Sequence, residues 1–247
     1  MIKKTDFRLS KAYYDKNGFI ILRKVLSKNK TIEIKKNILK YFESKSKQLN
    51  GRRINYTKKS KKINSIHNFE KVGFVKKMIK NKTFKKIART FVGERIKSFG
   101  AELFAKPAKE GLAVPIHQDN YYWNIDNSKG ITIWIALDKS NKKNGGIFYF
   151  KKSHLIGIQE HKNSYVPGSS QALKSNFILK KFEKAQTNLS AGDVIIHNCM
   201  ILHGSNMNKT KMSRTGLTLR YIPKKSKIDK NLKKIYEKKL NSQIRNR

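Results

Sequence analysis

Residues 191–222, AGDVIIHNCMILHGSNMNKTKMSRTGLTLRYI, contain two strand-like blocks separated by a polar segment. Asp193–His197 follows the turn signal Ala191-Gly192, and Thr215–Ile222 closes the stretch. Three further apolar or alternating blocks precede it: Ser98–Pro107, Ile131–Leu137 and Ile147–Phe150. Short blocks of this kind, bounded by turn residues, indicate β-strands. The second half of the chain therefore predicts a β-sandwich or barrel.

The first part of the chain is predicted to be mostly helical. A short strand at Phe19–Leu22 follows a turn signal. A helix is predicted at about residues 30–45, because apolar residues recur there on one helical face. Two more helices are predicted near residues 68–80 and 83–92 for the same reason. Helices followed by several short strands predict a mainly β fold with flanking helices.

The length of 247 residues fits one large domain. We expect a single domain over residues 1–223, with a helical part at 1–96 and a β core at 97–223. The basic, polar segment 46–64 is predicted to be a loop. The lysine-rich tail, residues 224–247, is predicted to be a peripheral helix or partly disordered.

The chain is very basic, with 57 lysine and arginine residues against 16 acidic ones and a formal net charge of +41. Such a charge attracts nucleic acid or small anions. However, the basic residues are mostly lysine and are spread along the whole chain, as an AT-rich genome would produce. A dedicated nucleic-acid binder more often uses arginine. We expect a small-molecule substrate, with an anionic one compatible with the charge, and no specific nucleic-acid partner.

Features that mark secreted or membrane proteins are absent from the sequence. Cys199 is the only cysteine, so no intrachain disulfide can form. No segment approaches the roughly 20 apolar residues of a membrane span, and the N-terminal residues lack the apolar core of a signal peptide. The sequence predicts a cytoplasmic protein without a membrane span and leaves its oligomeric state open.

A His-x-Asp pair stands near the start of the β region, in Pro115-Ile-His-Gln-Asp119. In an extended chain, His117 and Asp119 project to the same face, whereas Gln118 points away. Such a pair can supply two adjacent ligands of a mononuclear non-haem iron site, which needs one more histidine and keeps other positions open. Alone, the pair is a weak signal, because a surface polar pair gives the same pattern.

The third ligand must come from another strand. The candidates in the later β region are His154, His161, His197 and His203. His203 is favoured because Arg214 follows it on the next strand, where a guanidinium can clamp a carboxylate with two hydrogen bonds. Ser205 can add a hydrogen bond to that carboxylate. His197 remains a competing ligand, and a hydrogen-bonded core histidine is the alternative for His203.

Several segments together resemble the phytanoyl-CoA dioxygenase family of iron(II)- and 2-oxoglutarate-dependent oxygenases. They are residues 16–27 (KNGFIILRKVLS), 114–138 (VPIHQDNYYWNIDNSKGITIWIALD), 144–154 (NGGIFYFKKSH) and 191–221 (AGDVIIHNCMILHGSNMNKTKMSRTGLTLRY). The resemblance implies a double-stranded β-helix, a cupin-like jelly-roll core. It also implies hydroxylation of a substrate C–H bond with O₂ and 2-oxoglutarate as co-substrates and release of succinate and CO₂.

The resemblance also assigns roles to particular residues. It implies Fe(II) ligands at His117, Asp119 and His203, and places Arg214 and Ser205 at the side-chain carboxylate of 2-oxoglutarate. Trp134 falls where the family has a tryptophan near the co-substrate, and Gln118 lies beside the metal motif. Lys106 is a weaker candidate for a carboxylate contact, with a solvated strand-end lysine as the alternative. Retention of the carboxylate at position 119 argues against halogenation, because halogenating relatives replace it with a small residue.

One family segment departs from the usual pattern, and the substrate is not specified. The family's Pro-Gly-Ser-His appears as Lys151-Lys-Ser-His154, which is expected to alter a turn near the site mouth. Tyr121, Tyr122 and Trp123 are candidates for the substrate pocket, with ordinary core aromatics as the alternative. Residues 168–171 are predicted to be a loop. Rival functions are a basic nucleic-acid-binding or nucleic-acid-modifying protein on the same fold and a non-catalytic jelly-roll binding protein.

Overall fold

A computed structural model describes residues 7–45, 54–57 and 59–245. The helices are α1 (Phe7–Asn17), α2 (Lys28–Lys45), α3 (Gly73–Lys80), α4 (Lys82–Val92), α5 (Asn120–Trp123) and α6 (Lys230–Arg245). The strands are β1 (Phe19–Leu22), β2 (Ile54–Tyr56), β3 (Ile63–Ile66), β4 (Ile96–Lys106), β5 (Val114–His117), β6 (Ile131–Ala136), β7 (Ile147–Phe150), β8 (His161–Val166), β9 (Ser169–Leu173), β10 (Lys184–Gln186), β11 (Val194–Asn198), β12 (His203–Ser205) and β13 (Arg214–Pro223). No helix in these ranges is both long and apolar enough to cross a bilayer.

Seven strands form a large antiparallel sheet in the order β1-β11-β6-β13-β4-β3-β2. The central strand β6 is buried at every position, which explains why its sequence is almost continuously apolar. Ile131, Ile133 and Ile135 pack under the helices. Because side chains alternate along a strand, Thr132 and Trp134 point to the opposite face, into the interior of the sandwich.

A smaller sheet, in the order β10-β7-β12-β5, faces the large one. Apolar side chains from both sheets meet between them, with Ile147 and Tyr149 of β7 in one cluster with Trp134 and Ile195 of the large sheet. This arrangement of two facing antiparallel sheets is a jelly-roll, which the family resemblance implied and which agrees with the β-sandwich or barrel predicted from the strand pattern. The strand β8 pairs with β9 as a separate two-stranded ribbon.

The helices α1 to α4 cover the outer face of the large sheet. Their apolar faces, with Phe84, Ile87 and Phe91 on α4, join the buried side chains of β13 and β6 in the largest hydrophobic cluster. The helical spacing of these residues is what the sequence predicted. The strand β1 belongs to the same sheet, because it pairs with β11 along its whole length. The proposed division of the chain at residues 96 and 223 stays a prediction.

Two segments that were predicted to be loops contain strands. Within residues 46–64, the described part forms β2 and the start of β3, which pair as an antiparallel hairpin; residues 46–53 and 58 lie outside the described residues. Residues 168–171 enter β9 directly after Gly168, whose φ of 78° suits the turn. Both predictions were wrong because these strands are short and mix polar with apolar residues. Within the lysine-rich tail, Lys230–Arg245 form the helix α6, which corresponds to the peripheral helix rather than to the disordered alternative.

Gly216 of β13 leaves the space that the Trp134 indole occupies. A Cβ atom at this position would lie 2.0 Å from Trp134 Cζ2. We expect Gly216→Ala to lower the free energy of unfolding by about 1–3 kcal/mol, because overpacking forces neighbouring side chains out of their rotamers. Thermal and urea unfolding measure the change. Gly73→Ala is the control, since no atom lies within 4 Å of its Cβ position, and an equal loss in both variants would contradict the explanation.

Candidate active site

Three metal-binding side chains meet between the two sheets. His117 is the last residue of β5, Asp119 precedes α5, and His203 opens β12, which pairs with β5 so that His203 lies opposite His117. Nε2 of His117 lies 3.6 Å from Asp119 Oδ1, and Nε2 of His203 lies 3.7 Å from the same oxygen. One donor atom from each residue lies within 4.8 Å of the others. Sequence-distant residues are thus brought together by strand pairing.

Main-chain carbonyls orient both imidazoles. Nδ1 of His117 lies 2.8 Å from the Pro115 carbonyl oxygen, and Nδ1 of His203 lies 2.9 Å from that of Ile201. A carbonyl can only accept, so each Nδ1 carries the proton and each Nε2 keeps its lone pair. Burial, together with neighbouring His117, holds the pKa of His203 well below its usual value. His203 is therefore neutral, the form that binds a metal.

The Asp119 carboxylate has one oxygen held and one oxygen available. Oδ2 accepts a hydrogen bond from the Thr132 hydroxyl at 2.6 Å and lies 3.1 Å from His197 Nε2. Oδ1 is the oxygen that faces His117 and His203. Burial raises the pKa of Asp119, but the neighbouring His117, His197 and His203 outweigh it, and the pKa lies well below the usual value. The carboxylate is ionised, as a metal ligand requires.

His197 lies behind the cluster rather than within it. Its Nδ1 lies 2.9 Å from the Tyr149 hydroxyl, and its Nε2 faces Asp119 Oδ2. Tyr149 in turn stacks on His203, with ring centroids 5.7 Å apart. The structure therefore gives His197 a supporting contact with the carboxylate. Sequence reasoning missed Thr132 and Tyr149 as partners of the site.

The two other candidate histidines lie outside the cluster. Nε2 of His154 is 3.0 Å from the Asp15 carbonyl oxygen. Nε2 of His161 accepts a hydrogen bond from the main-chain N–H of Gln118, and its Nδ1 lies 2.8 Å from the Gln159 carbonyl oxygen. His161 thus holds the peptide between the His-x-Asp residues without facing the cluster.

Loss of the Thr132 hydroxyl tests the support of the carboxylate. Thr132→Val keeps the shape of the side chain but removes the 2.6 Å hydrogen bond to Asp119 Oδ2. We expect metal affinity to fall about 10- to 100-fold, the usual cost of losing an outer-shell partner. Calorimetric titration with Co(II) or Fe(II) measures it. Thr215→Val on β13 is the matched control, and equal affinities in wild type and Thr132→Val would show that the hydrogen bond is dispensable.

Two buried basic side chains, Arg214 and Lys106, form a second group. Arg214 and Lys106 are directly paired across β13 and β4, and their exposed fractions are only 1% and 3%. Nη2 of Arg214 donates to the Gly145 carbonyl, while its Nε has no partner among the described residues. The guanidinium carbon lies 5.3 Å from the centroid of the Trp134 ring. Ser205 is buried on β12, two residues after His203.

The two buried basic side chains lie close together, and neither forms an ion pair with an acidic side chain of the described residues. Nζ of Lys106 donates to the carbonyls of Leu112 and Asn206, each at 2.6 Å. Burial and the nearby Arg214 lower the pKa of Lys106 to about 6, and burial lowers the pKa of Arg214 to about 10. Neither side chain makes an ion pair within the described part of the chain. A bound carboxylate would relieve this cost.

The other residues predicted for the site, Gln118 and the three aromatic residues 121–123, each have different contacts. The amide of Gln118 donates to the Gly157 and Met200 carbonyls and accepts from the Gln159 N–H, so these main-chain groups already occupy it. Tyr122 presents its ring to His117, with centroids 5.6 Å apart. Tyr121 stacks on His161. Trp123 is buried in an apolar cluster, which is the core alternative for this residue.

A jelly-roll that encloses two imidazoles and one carboxylate, beside a buried basic pair, defines a class of protein with a mononuclear metal site of the 2-His-1-carboxylate type. The chain belongs to the phytanoyl-CoA dioxygenase family (PhyH), whose model matches residues 14–216.

Individual relatives are distant. The probable alpha-ketoglutarate-dependent hypophosphite dioxygenase of Stutzerimonas stutzeri is 27% identical over 147 residues, covering 58% of this chain and 51% of that protein. Human peroxisomal phytanoyl-CoA dioxygenase is 20% identical over 223 residues, covering 85% of this chain and 66% of that protein. The chain thus spans about half to two thirds of the length of these curated relatives.

Solved structures share the fold at low identity. EctD from S. alaskensis, crystallised with 2-oxoglutarate and 5-hydroxyectoine, superimposes with a TM-score of 0.75 at 18% identity and covers 90% of this chain and 77% of its own. The non-heme alpha-ketoglutarate-dependent carbocyclase SnoK from nogalamycin biosynthesis gives 0.74 at 17% identity, covering 90% and 85%. These likenesses establish the jelly-roll fold.

Proposed function

We propose that the protein is an iron(II)- and 2-oxoglutarate-dependent dioxygenase that hydroxylates a C–H bond of a small molecule. The observation that carries this proposal is the placement of His117, Asp119 and His203 beside the buried basic side chain of Arg214 in one sandwich interior. Tyr149 lies near both groups, because the charge of Asp119 raises the pKa of its hydroxyl and the charge of Arg214 lowers it. Two of the relatives are themselves named as dioxygenases, which agrees with the proposal.

The residues present fit the implied groups. Two neutral imidazoles and one ionised carboxylate are a donor set that suits Fe(II), and the orphaned Nε of Arg214 suits a carboxylate. Bound iron, with 2-oxoglutarate as co-substrate, would supply the activation of dioxygen. In the proposed reaction one oxygen atom enters the substrate C–H bond as a hydroxyl, the other enters succinate, and 2-oxoglutarate loses CO₂.

The protein's own side chains hold and orient the reactants. Thr132 and His197 fix the Asp119 carboxylate, so that the same oxygen always faces the two imidazoles. Arg214, supported by Trp134, would anchor the far carboxylate of 2-oxoglutarate, with Lys106 and Ser205 as further contacts. Tyr122 packs against the ring of His117. Burial of these groups excludes water and strengthens each interaction.

Anaerobic addition of Fe(II) and 2-oxoglutarate to the metal-free protein tests the proposal. We expect the weak visible charge-transfer band of a keto acid chelated to iron, and succinate after oxygen is admitted. A protein that binds no iron and shows no band would instead support a non-catalytic jelly-roll or a nucleic-acid-binding role. A small-molecule substrate without a nucleic-acid partner and a cytoplasmic location are likewise proposals, which rest on the composition.

A further inference from the structure

A second polar cluster lies on the interior face of the large sheet. Glu102 of β4 is the centre of it. Its Oε1 lies 3.2 Å from Arg220 Nη1 and 2.8 Å from His67 Nδ1. Burial raises the pKa of Glu102, but Arg220 and His67 outweigh it and leave the pKa below its usual value. Glu102 and Arg220 therefore form an ionised pair inside the sandwich, and nothing in the metal cluster requires it.

This cluster keeps unused hydrogen-bonding capacity. The side chains of Glu102, Arg220 and His67 remain 16%, 13% and 23% exposed, so an opening reaches them. Oε2 of Glu102 accepts no hydrogen bond from the described residues. Arg220 Nε also has no partner there. Unmatched donors and acceptors in an interior are costly unless a ligand pairs with them.

Strand register places this cluster next to the metal cluster. Arg220 of β13 lies directly opposite Thr132 of β6, and the Thr132 hydroxyl donates to Asp119. On the other side, the ring of Tyr122 contacts both His117 and Tyr236, with centroids 5.6 and 5.5 Å apart. A small molecule held by Glu102 and Arg220 would therefore extend toward Asp119.

The C-terminal helix α6 closes this space. Tyr236 of α6 packs edge-on against Tyr122, its hydroxyl lies 3.4 Å from Ser170 Oγ, and it lies within the electrostatic reach of Glu102 and Arg220. Gln243, about two turns further along the helix, is buried, and its side-chain oxygen accepts a hydrogen bond from the N–H of Tyr165 in β8. The family match ends at residue 216, so α6 lies outside the matched residues.

Charge balance indicates the kind of ligand. With iron and 2-oxoglutarate bound, the positive charges of the metal and Arg214 offset Asp119 and the two carboxylates of the co-substrate. The Glu102–Arg220 pair is also neutral overall. An uncompensated charge inside the sandwich would be costly, so the favoured substrate has no net charge. It must nevertheless offer a donor to Glu102 and an acceptor to Arg220.

We propose that Glu102 and Arg220, with Tyr236 of α6 beside them, bind the ammonium and carboxylate groups of a small zwitterionic substrate of the amino-acid type. The ammonium donates to Glu102 Oε2, and the carboxylate accepts from Arg220. His67 holds the other oxygen of Glu102. The assignment rests on the proposed function for its role as a substrate site, and it differs from the anionic substrate that net charge alone favours.

Saturation-transfer NMR on the intact protein tests this site without turnover. The probes are L-proline, L-leucine and L-glutamine, each with its N-acetyl derivative, which lacks the ammonium, and its amide, which lacks the carboxylate. We expect at least one amino acid to show stronger transfer than both of its derivatives. Glu102→Gln should lower that transfer several-fold, and Tyr236→Ala should lower it as well, whereas Glu94→Gln is the matched control.

The outcomes separate the two proposals. Equal transfer from amino acids and their derivatives, no transfer from any of the three amino acids, or transfer that persists in Glu102→Gln overturns the zwitterion site. The same variants are examined anaerobically with Fe(II) and 2-oxoglutarate. Glu102→Gln should retain the visible band of wild type, because Glu102 touches neither the metal ligands nor Arg214. Absence of the band in wild type would contradict the proposed oxygenase function, but it would not change the amino-acid binding result.

Discussion

Replacing His203 with alanine is expected to remove metal binding and, with it, the visible band formed by Fe(II) and 2-oxoglutarate. His203 Nε2 is one of only two imidazole donors in the cluster of the described residues. Its loss leaves His117 and Asp119, two adjacent donors that cannot enclose an ion. We expect affinity to fall by more than the roughly 10- to 100-fold that loss of an outer-shell partner costs. Calorimetric titration of the metal-free protein measures the change.

The control for this variant is another histidine that lies outside the metal cluster. His154→Ala removes an imidazole that contacts the Asp15 carbonyl and lies outside the cluster, so metal binding should match wild type. Circular dichroism establishes that both variants fold. His197→Ala distinguishes the competing ligand assignment, because His197 contacts the far oxygen of Asp119. A variant at position 203 that still binds iron, beside one at 197 that does not, would exchange the two roles.

The sequence was sufficient for the fold where hydrophobic periodicity was strong. The helical faces of α2 and α4 and the continuous run of β6 are visible because each buries apolar side chains at regular spacing. The ribbon of β8 and β9 was missed, since HKNSYV and SSQAL are mostly polar, although β9 is largely buried. The hairpin of β2 and β3 was missed because its strands, INY and INSI, are short and lie in or beside a lysine-rich segment.

The sequence also indicated the residues of the metal cluster better than it indicated the side chains that support them. His117 and Asp119 share a face simply because they are two residues apart in extended chain. The support from Thr132 depends on where β6 lies relative to β5, and the Glu102–Arg220 pair depends on the register of β13 against β4. Such contacts join residues about 13 to 118 positions apart. No local pattern encodes the register that creates them.

Replacing Arg214 is expected to raise the concentration of 2-oxoglutarate needed for half-saturation of the visible band. In Arg214→Ala the far carboxylate of the co-substrate loses its buried cation. Losing one member of a buried, hydrogen-bonded charge pair costs about 2–5 kcal/mol, which corresponds to roughly 30-fold or more in affinity. Iron binding itself should persist, because Arg214 is not a donor to the metal cluster. Anaerobic titration with 2-oxoglutarate at saturating Fe(II) measures the effect.

Two further variants separate anchoring from packing at this position. Arg214→Lys keeps a charge but cannot offer the two parallel N–H donors of a guanidinium, so we expect an intermediate affinity. Arg89→Ala on the exposed side of α4 is the control for a general loss of positive charge, which matters in a chain with a net charge of +41. If Arg89→Ala weakened 2-oxoglutarate binding as much as Arg214→Ala, the anion would be attracted by the overall field rather than held at Arg214. If only the position-214 variants weaken it, a buried guanidinium beside Trp134 is the anchor.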